Sequence, residues 1–203
     1  MKKKIILASI LFILITVSSQ YIFYLDIKRQ SYDAKIVNTS GKQRMYSQQI
    51  SKIALYTNNV NDLYKNYISL DSITNIIDDF TQDNYYLKNI NTQNYKNPAI
   101  DSLFLKNQVY FKRIIKASNE LIDNPNDQGF FENFITKINE NEGDFLISMD
   151  TLVNEYQKTS ERKIKGFKKI LTLYSLVTLF FLILILLFII IPLYKKTKIL
   201  DSK

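Results

Sequence analysis

Two long apolar runs dominate this chain and limit what the residues between them can be. Ile5 to Leu25 supplies about the twenty residues that a helix needs to cross a bilayer. Leu171 to Leu193 is a second such run, and its core, LVTLFFLILILLFIII, carries no charge. The stretch between is polar and rich in Tyr and Asn, and little follows the second run. This layout predicts a cytoplasmic tail at 1–4, a transmembrane helix at 5–25 and an extracytoplasmic domain at 26–169. A second transmembrane helix at 170–193 and a short cytoplasmic tail at 194–203 complete it.

Composition narrows the chemistry. The chain has no Cys, no His and no Trp. Without Cys there are no disulfides, no thiolate nucleophiles and no zinc–thiolate sites. Without His the commonest general base and metal ligand is missing, as is any phospho-accepting imidazole. The remaining carboxylates form no distinctive pair, so the expectation is a protein that is not an enzyme, with no catalytic residues, no metal and no cofactor.

The formal net charge is +8. Outside residues 5–194 lie seven lysines and one acid, Asp201, while the stretch between holds 20 basic and 18 acidic residues. The excess therefore sits on two tails beside apolar helices, where anionic lipid and the positive-inside rule favour it, and no nucleic-acid partner is expected. Lys2, Lys3 and Lys4 place the N-terminus in the cytoplasm, and two spans return Lys195, Lys196 and Lys198 to the same side. Arg162, Lys163, Lys165, Lys168 and Lys169 crowd the outer end of the second span and argue the other way. The first span usually dominates, and a long loop translocates largely regardless of charge. The first run also reads as a signal peptide, with MKKK as n-region and Val17-Ser18-Ser19 as a cleavage site. Its continuation through Tyr21, Ile22, Phe23, Tyr24 and Leu25 is long for that role. No Cys follows it, which excludes a lipoprotein.

Few helix breakers interrupt the middle, which predicts long helices. Turns are expected at Asn89–Pro98 and Asp123–Gly129, where Asn, Asp, Gly and Pro cluster, and a third break near Asn58–Asp62. Three breaks give four helices. Helix two shows Leu63, Tyr67, Leu70, Ile77 and Phe80 in one stripe. Helix three shows Leu103, Tyr110, Ile114, Ala117 and Leu121. Helix four shows Phe131, Ile135, Ile138, Phe145, Met149, Leu152 and Tyr156. Steps of three and four residues put these groups on one face of each helix, so the fold class is all-α. The architecture expected is an extracytoplasmic antiparallel four-helix bundle flanked by two transmembrane helices. Helix one would run straight out of the first span and helix four straight into the second.

Helix one departs from this pattern. Asn38 to Gln49 (NTSGKQRMYSQQ) has Met45 and Tyr46 as its only large apolar side chains. Gly41 within the helix costs about 1 kcal/mol relative to Ala. Ser40, Gln43, Ser47 and Ile50 continue the stripe that begins at Ile36, so polar groups fall where a core is expected. Such a helix is either solvent-exposed or lines a polar site, with Arg44 beside the stripe.

Residues 38–52, NTSGKQRMYSQQISK, resemble the N-A-G-R-Q-R-M-L-S-Q-R-hydrophobic-x-K signature of the type IV pili methyl-accepting chemotaxis transducer N-terminal domain family. The sensor region of nitrate-responsive histidine kinases has a related sequence. Residues 144–163, DFLISMDTLVNEYQKTSERK, are more loosely similar to the family's last helix. The resemblance implies an extracytoplasmic four-helix sensor bundle, usually dimeric. In the nitrate-responsive relatives an arginine of this motif binds the anion where two copies of helix one meet, and Arg44 occupies that place. A guanidinium offers paired planar donors to a planar oxyanion and keeps its charge.

The candidate ligand-binding residues are accordingly Arg44, Gln43, Ser47 and Gln48, with Gly41 and Met45 as helix-packing residues. Gln49 stands where the family often has a second arginine, and Lys42 replaces another. Those departures weaken the case for nitrate and leave open a neutral or zwitterionic ligand, or amides that knit helices together. Relatives normally continue into an output module, and residues 192–203 are too short to form one. The expected function is a membrane-anchored sensor that binds a small anionic or polar ligand on a homodimer. It would signal to a separate cytoplasmic or membrane output protein, as the front end of a split receptor would. The alternative is an envelope scaffold whose polar stripe is a dimer seam fixing register.

Overall fold

In the computed structural model, residues 2–59, 70–93, 97–192 and 194–195 are described, and the regular structure among them is entirely helical. Among the described residues there are four α-helices: α1 (Lys2–Asn59), α2 (Leu70–Gln93), α3 (Pro98–Asp123) and α4 (Gln128–Ile185). A π-helical turn, Leu186–Ile190, continues α4. As the sequence predicts, α1 carries the first apolar run and the start of the polar domain without a break, and α4 does the converse.

The helix ends follow local chemistry. Asn97 caps α3 by accepting from the Ala99 N–H at 3.1 Å, with Pro98 in the first position, where its missing N–H is not needed. At α4, one Asp127 carboxylate oxygen accepts from the N–H groups of Gly129 and Phe130 at 2.8 and 3.3 Å. The expected turn at Asp123–Gly129 is there. The expected turn beginning at Asn89 is not, because α2 continues to Gln93. Ile90 and Asn91 are buried, and burying Ile90 outweighs the turn preference of the surrounding asparagines. Near the third expected break α1 runs through Asn58 and Asn59. Residues 60–62, together with Leu63 and Tyr67 of the predicted stripe, lie outside the described residues, as does the side chain of Leu70.

The chain divides into two compact units. One is Asp33–Thr159. Its helices run antiparallel to their neighbours, as paired contacts show. Lys35 lies over the Tyr86 ring and Tyr46 meets Phe80, so α2 descends as α1 ascends. Asn84 pairs with Gln108 and Phe80 with Phe111 between α2 and α3. Asn107 with Ser148, and Arg113 with Asn141, fix α3 against α4. All four helices converge on Phe80, which is fully buried. Its ring meets Phe111 edge-on at 4.8 Å, Phe145 edge-on at 5.4 Å and Tyr46 at 6.0 Å, in the tilted geometries that aromatic quadrupoles favour.

Most predicted core positions are buried: Ile77 and Phe80; Ile114, Ala117 and Leu121; Ile135, Ile138, Phe145, Met149, Leu152 and Tyr156. On α3 the buried stripe begins at Ile100 rather than at Leu103. Phe104, Asn107 and Phe111 face inward, and Leu103 and Tyr110 flank them. Phe131 likewise sits at the edge, beside the buried Phe134.

The other unit comprises the chain up to Tyr32 together with that from Ser160 onward. Its two helical segments are antiparallel: the Tyr174 hydroxyl donates to the Ile15 carbonyl at 2.6 Å, and Arg29 stacks 5.4 Å over the Phe167 ring. Asp26 is buried and accepts from Arg29 and Gln30. Along both segments large apolar side chains such as Leu7, Ile13, Phe180 and Phe188 are exposed. A continuous apolar surface of this kind is stable in lipid and unfavourable in water. Both helices are long and apolar enough to cross a membrane.

Candidate functional site on helix α1

The polar stripe of α1 is inside the bundle. Ile36, Ser40, Gln43, Ser47 and Ile50 are all buried, and Thr39 joins them. Each polar group is then obliged to find a partner, since burying one without a hydrogen bond is costly. The serines use their own helix: Ser40 Oγ donates to the Ile36 carbonyl at 2.8 Å and Ser47 Oγ to the Arg44 carbonyl at 2.9 Å. Gln43 reaches across. Its Nε2 donates to the Phe80 carbonyl at 2.9 Å, and its Oε1 accepts from Asn84 Nδ2 at 3.4 Å. Asn84 Oδ1 in turn accepts from Gln108 Nε2 at 2.9 Å. One amide relay therefore ties α1 to α2 and α3 directly beneath the motif.

This arrangement separates the residues that the sequence groups together. Gln43 and Ser47 are buried and have hydrogen-bond partners in the chain. Arg44 and Gln48 face outward. Gln48 lines a groove of about 470 Å³ between α1 and α4, with Lys52, Tyr56 and, from α4, Glu142. Burial lifts the Glu142 carboxyl above its usual range. Nothing lies within 4 Å of where a Gly41 Cβ would stand, and the Met45 side chain is 43% exposed.

The partner of Arg44 is a residue that sequence reasoning did not single out. Arg44 Nε lies 2.6 Å from Asp150 Oδ1 on α4, with the side chains 41% and 46% exposed. The N–H does not align with the oxygen, and among the described residues Nε has no hydrogen-bond partner, so the contact is an ion pair alone. Such a half-exposed pair contributes about 0–1 kcal/mol. The only advance sign of Asp150 is its place in the 144–163 segment that resembles the family's last helix.

A second charged cluster flanks the motif on its α2 side. Burial raises the Asp83 carboxyl above its ordinary value of 3.8; Lys42 opposes this, Asp79 adds to it, and a hydrogen bond from Tyr46 and the charge of Lys35 oppose it. The same burial, with Asp83 and Asp79 nearby, pushes the Tyr46 hydroxyl up. Lys42, which replaces an arginine of the family signature, thus compensates an acid on α2. A raised carboxyl binds its proton more tightly when folded than when unfolded. Its contribution is therefore most favourable below 3.8 and is lost as pH rises through the raised value. Asp83→Asn keeps an acceptor for Tyr46 and removes the buried charge. It is expected to raise the melting temperature at neutral pH, with the gain shrinking to nothing under acid conditions, as pH-dependent thermal melts would show.

An all-α chain with two membrane-length helices and a polar relay inside a four-helix core defines a membrane-anchored helical domain. The model of the type IV pili methyl-accepting chemotaxis transducer N-terminal domain matches residues 27–129, and the chain belongs to that family. The match takes in α1 from Ile27, all of the motif at 38–52, and the described parts of α2 and α3. It ends at the start of α4, before the 144–163 segment. No curated protein and no solved structure matches the chain. The family identifies a sensor-type domain of chemotaxis transducers and is not an enzyme family.

Proposed function

We propose that the chain is a membrane-anchored extracytoplasmic receptor in which Arg44 is the contact for a small planar anion at the meeting of two copies of α1. The observation that carries this is the state of Arg44. It is held on the outer face of α1 by a weak, misaligned pair with Asp150, among open space at Gly41 and the exposed Met45 and Gln48. An incoming oxyanion offers the guanidinium two aligned acceptors in place of one poorly aligned carboxylate. Asp150 is then released, and α4 loses a tie to α1. The resulting shift of α4 against α1 is the kind of small displacement that a continuous helix carries into its apolar span, to be read by a separate output protein.

Thermal-shift titration of the full chain with nitrate and with small carboxylates tests this. The wild type is expected to be stabilised by at least one of these anions and Arg44→Ala by none. Asp150→Asn, which removes the internal competitor, is expected to bind the same anion up to about fivefold more tightly, since an exposed pair is worth up to about 1 kcal/mol. Equal stabilisation of Arg44→Ala and wild type would remove Arg44 from the receptor role. An absence of stabilisation by any of these anions, together with a tight dimer, favours the scaffold reading, to which the internally satisfied Gln43–Asn84–Gln108 relay also lends itself.

A further inference from the structure

We infer that a cluster of cations on α4, just before its apolar run, binds the headgroups of anionic phospholipids in the bilayer that the spans cross. The cluster is Arg162, Lys165, Lys168 and Lys169, all exposed. At 3.6 residues per turn the four fall within an arc of about 120° on one side of α4. The opposite side is the one that meets α1, where Arg29 stacks over the Phe167 ring and the Tyr174 hydroxyl donates to the Ile15 carbonyl. The cations therefore point away from the neighbouring helix.

Their charge is not cancelled within the chain. Among the described residues none of the four forms an ion pair. Lys163 has an interaction within the chain and is not counted. Glu161 is the single acid of α4 from Ser160 onward, so four cations against one acid leave three positive charges in excess. On α1, Lys28 is exposed and adds another cation, whereas Arg29 is paired with the buried Asp26.

Depth decides the partner. Ile170, 56% exposed, opens the apolar surface of the span. At 1.5 Å per residue, Lys169, Lys168 and Lys165 lie about 2, 3 and 8 Å from it along the axis, within the layer of about 5–8 Å that headgroups occupy on each side of the hydrocarbon. Arg162, about 12 Å away, reaches the outer edge of that layer with its long side chain. Lys28 likewise stands three residues beyond the exposed Leu25. Phosphate is the anion found at this depth, and basic groups beside a span are drawn to it. Headgroups held there fix the depth at which α4 enters its apolar run. The inference rests on the spans and not on Arg44, so anion binding at Arg44 can fail without touching it.

The chain has no native cysteine, so a fluorophore attached to an Ile170→Cys variant reports on this depth alone. The labelled full chain is reconstituted in vesicles of four parts phosphatidylcholine to one part phosphatidylglycerol, with bromine near the top of the acyl chains of one lipid or the other. Mole for mole, brominated phosphatidylglycerol is expected to quench about twofold or more better, with the preference fading in about 1 M salt, where the Debye length is about 3 Å. Lys165→Gln/Lys168→Gln/Lys169→Gln, near-equal in helix propensity and checked for unchanged thermal melts, is expected to bring the two lipids level. Lys2→Gln/Lys3→Gln/Lys4→Gln is expected to keep the preference. Equal quenching by the two lipids in the wild type overturns the inference. So does a preference that survives the triple variant at 165, 168 and 169, or one that the N-terminal variant abolishes. Equal quenching together with binding of soluble polyglutamate assigns the cluster to an acidic protein instead.

Discussion

Phe80→Ala is expected to remove about 3–5 kcal/mol of stability from the bundle, the range for deleting a fully buried aromatic side chain. The expectation rests on position as much as on size. Phe80 has no exposed surface, and its ring is in contact with one aromatic from each of the other three helices. Its removal takes away the edge-on contacts with Phe111 and Phe145 together, and a helix pinned on three sides has little freedom to collapse into the gap. The Phe80 carbonyl is also the acceptor for Gln43, so backbone relaxation at this point disturbs the amide relay. Thermal melts of the full chain in detergent, followed by circular dichroism, report the loss as an earlier unfolding transition of the bundle. Tyr85→Ala on the same helix is the control. Tyr85 is 65% exposed, and its truncation is expected to change stability by no more than about 0.5 kcal/mol.

Gln43→Leu is the second large effect. The substitution keeps the volume and deletes both polar contacts at a residue with no exposed surface. It strands the Asn84 amide, whose Nδ2 then faces a methyl group, and the expected cost is about 1–3 kcal/mol. Asn84→Leu alone is expected to cost a similar amount, because it strands Gln43 Oε1 and takes the acceptor from Gln108. The double variant Gln43→Leu/Asn84→Leu removes both ends of the bond. It is expected to be more stable than the sum of the single losses predicts, by an interaction energy of about 0.5–3 kcal/mol. Strictly additive losses would mean that the two amides do not act on each other.

Much of this core is legible in the spacing of α1. Ile36, Ser40, Gln43, Ser47 and Ile50 recur at steps of three and four, and all five are buried as that period requires. What the period does not reveal is that Gln43 is satisfied inside the chain, because its partners, the Phe80 carbonyl and Asn84, lie on α2. The same signal was present elsewhere. Asn84 follows Phe80 by four, Asn107 follows Phe104 by three, and Asn141 follows Ile138 by three, so each falls on a core position. Reading asparagine as a solvent or turn residue hides this. It shifts the α3 stripe to Leu103 and Tyr110, and it ends α2 at Lys88 rather than at Gln93. Burial of the helix face overrode the residue's local preference in each case. Asp150 was beyond reach for another reason: its pairing with Arg44 joins residues far apart in sequence, and no local pattern marks it.

The outer face of α1 is where the receptor reading is most exposed to test, and the absence of native cysteine makes that test clean. Single variants Met45→Cys, Gln48→Cys and Leu105→Cys of the full chain in membranes, oxidised under mild conditions, report which face meets a second copy. The account predicts disulfide-linked dimers at 45 and 48, a changed cross-linking yield at both when a stabilising anion is added, and none at 105. Dimers that form at 105 while 45 and 48 stay monomeric would contradict it.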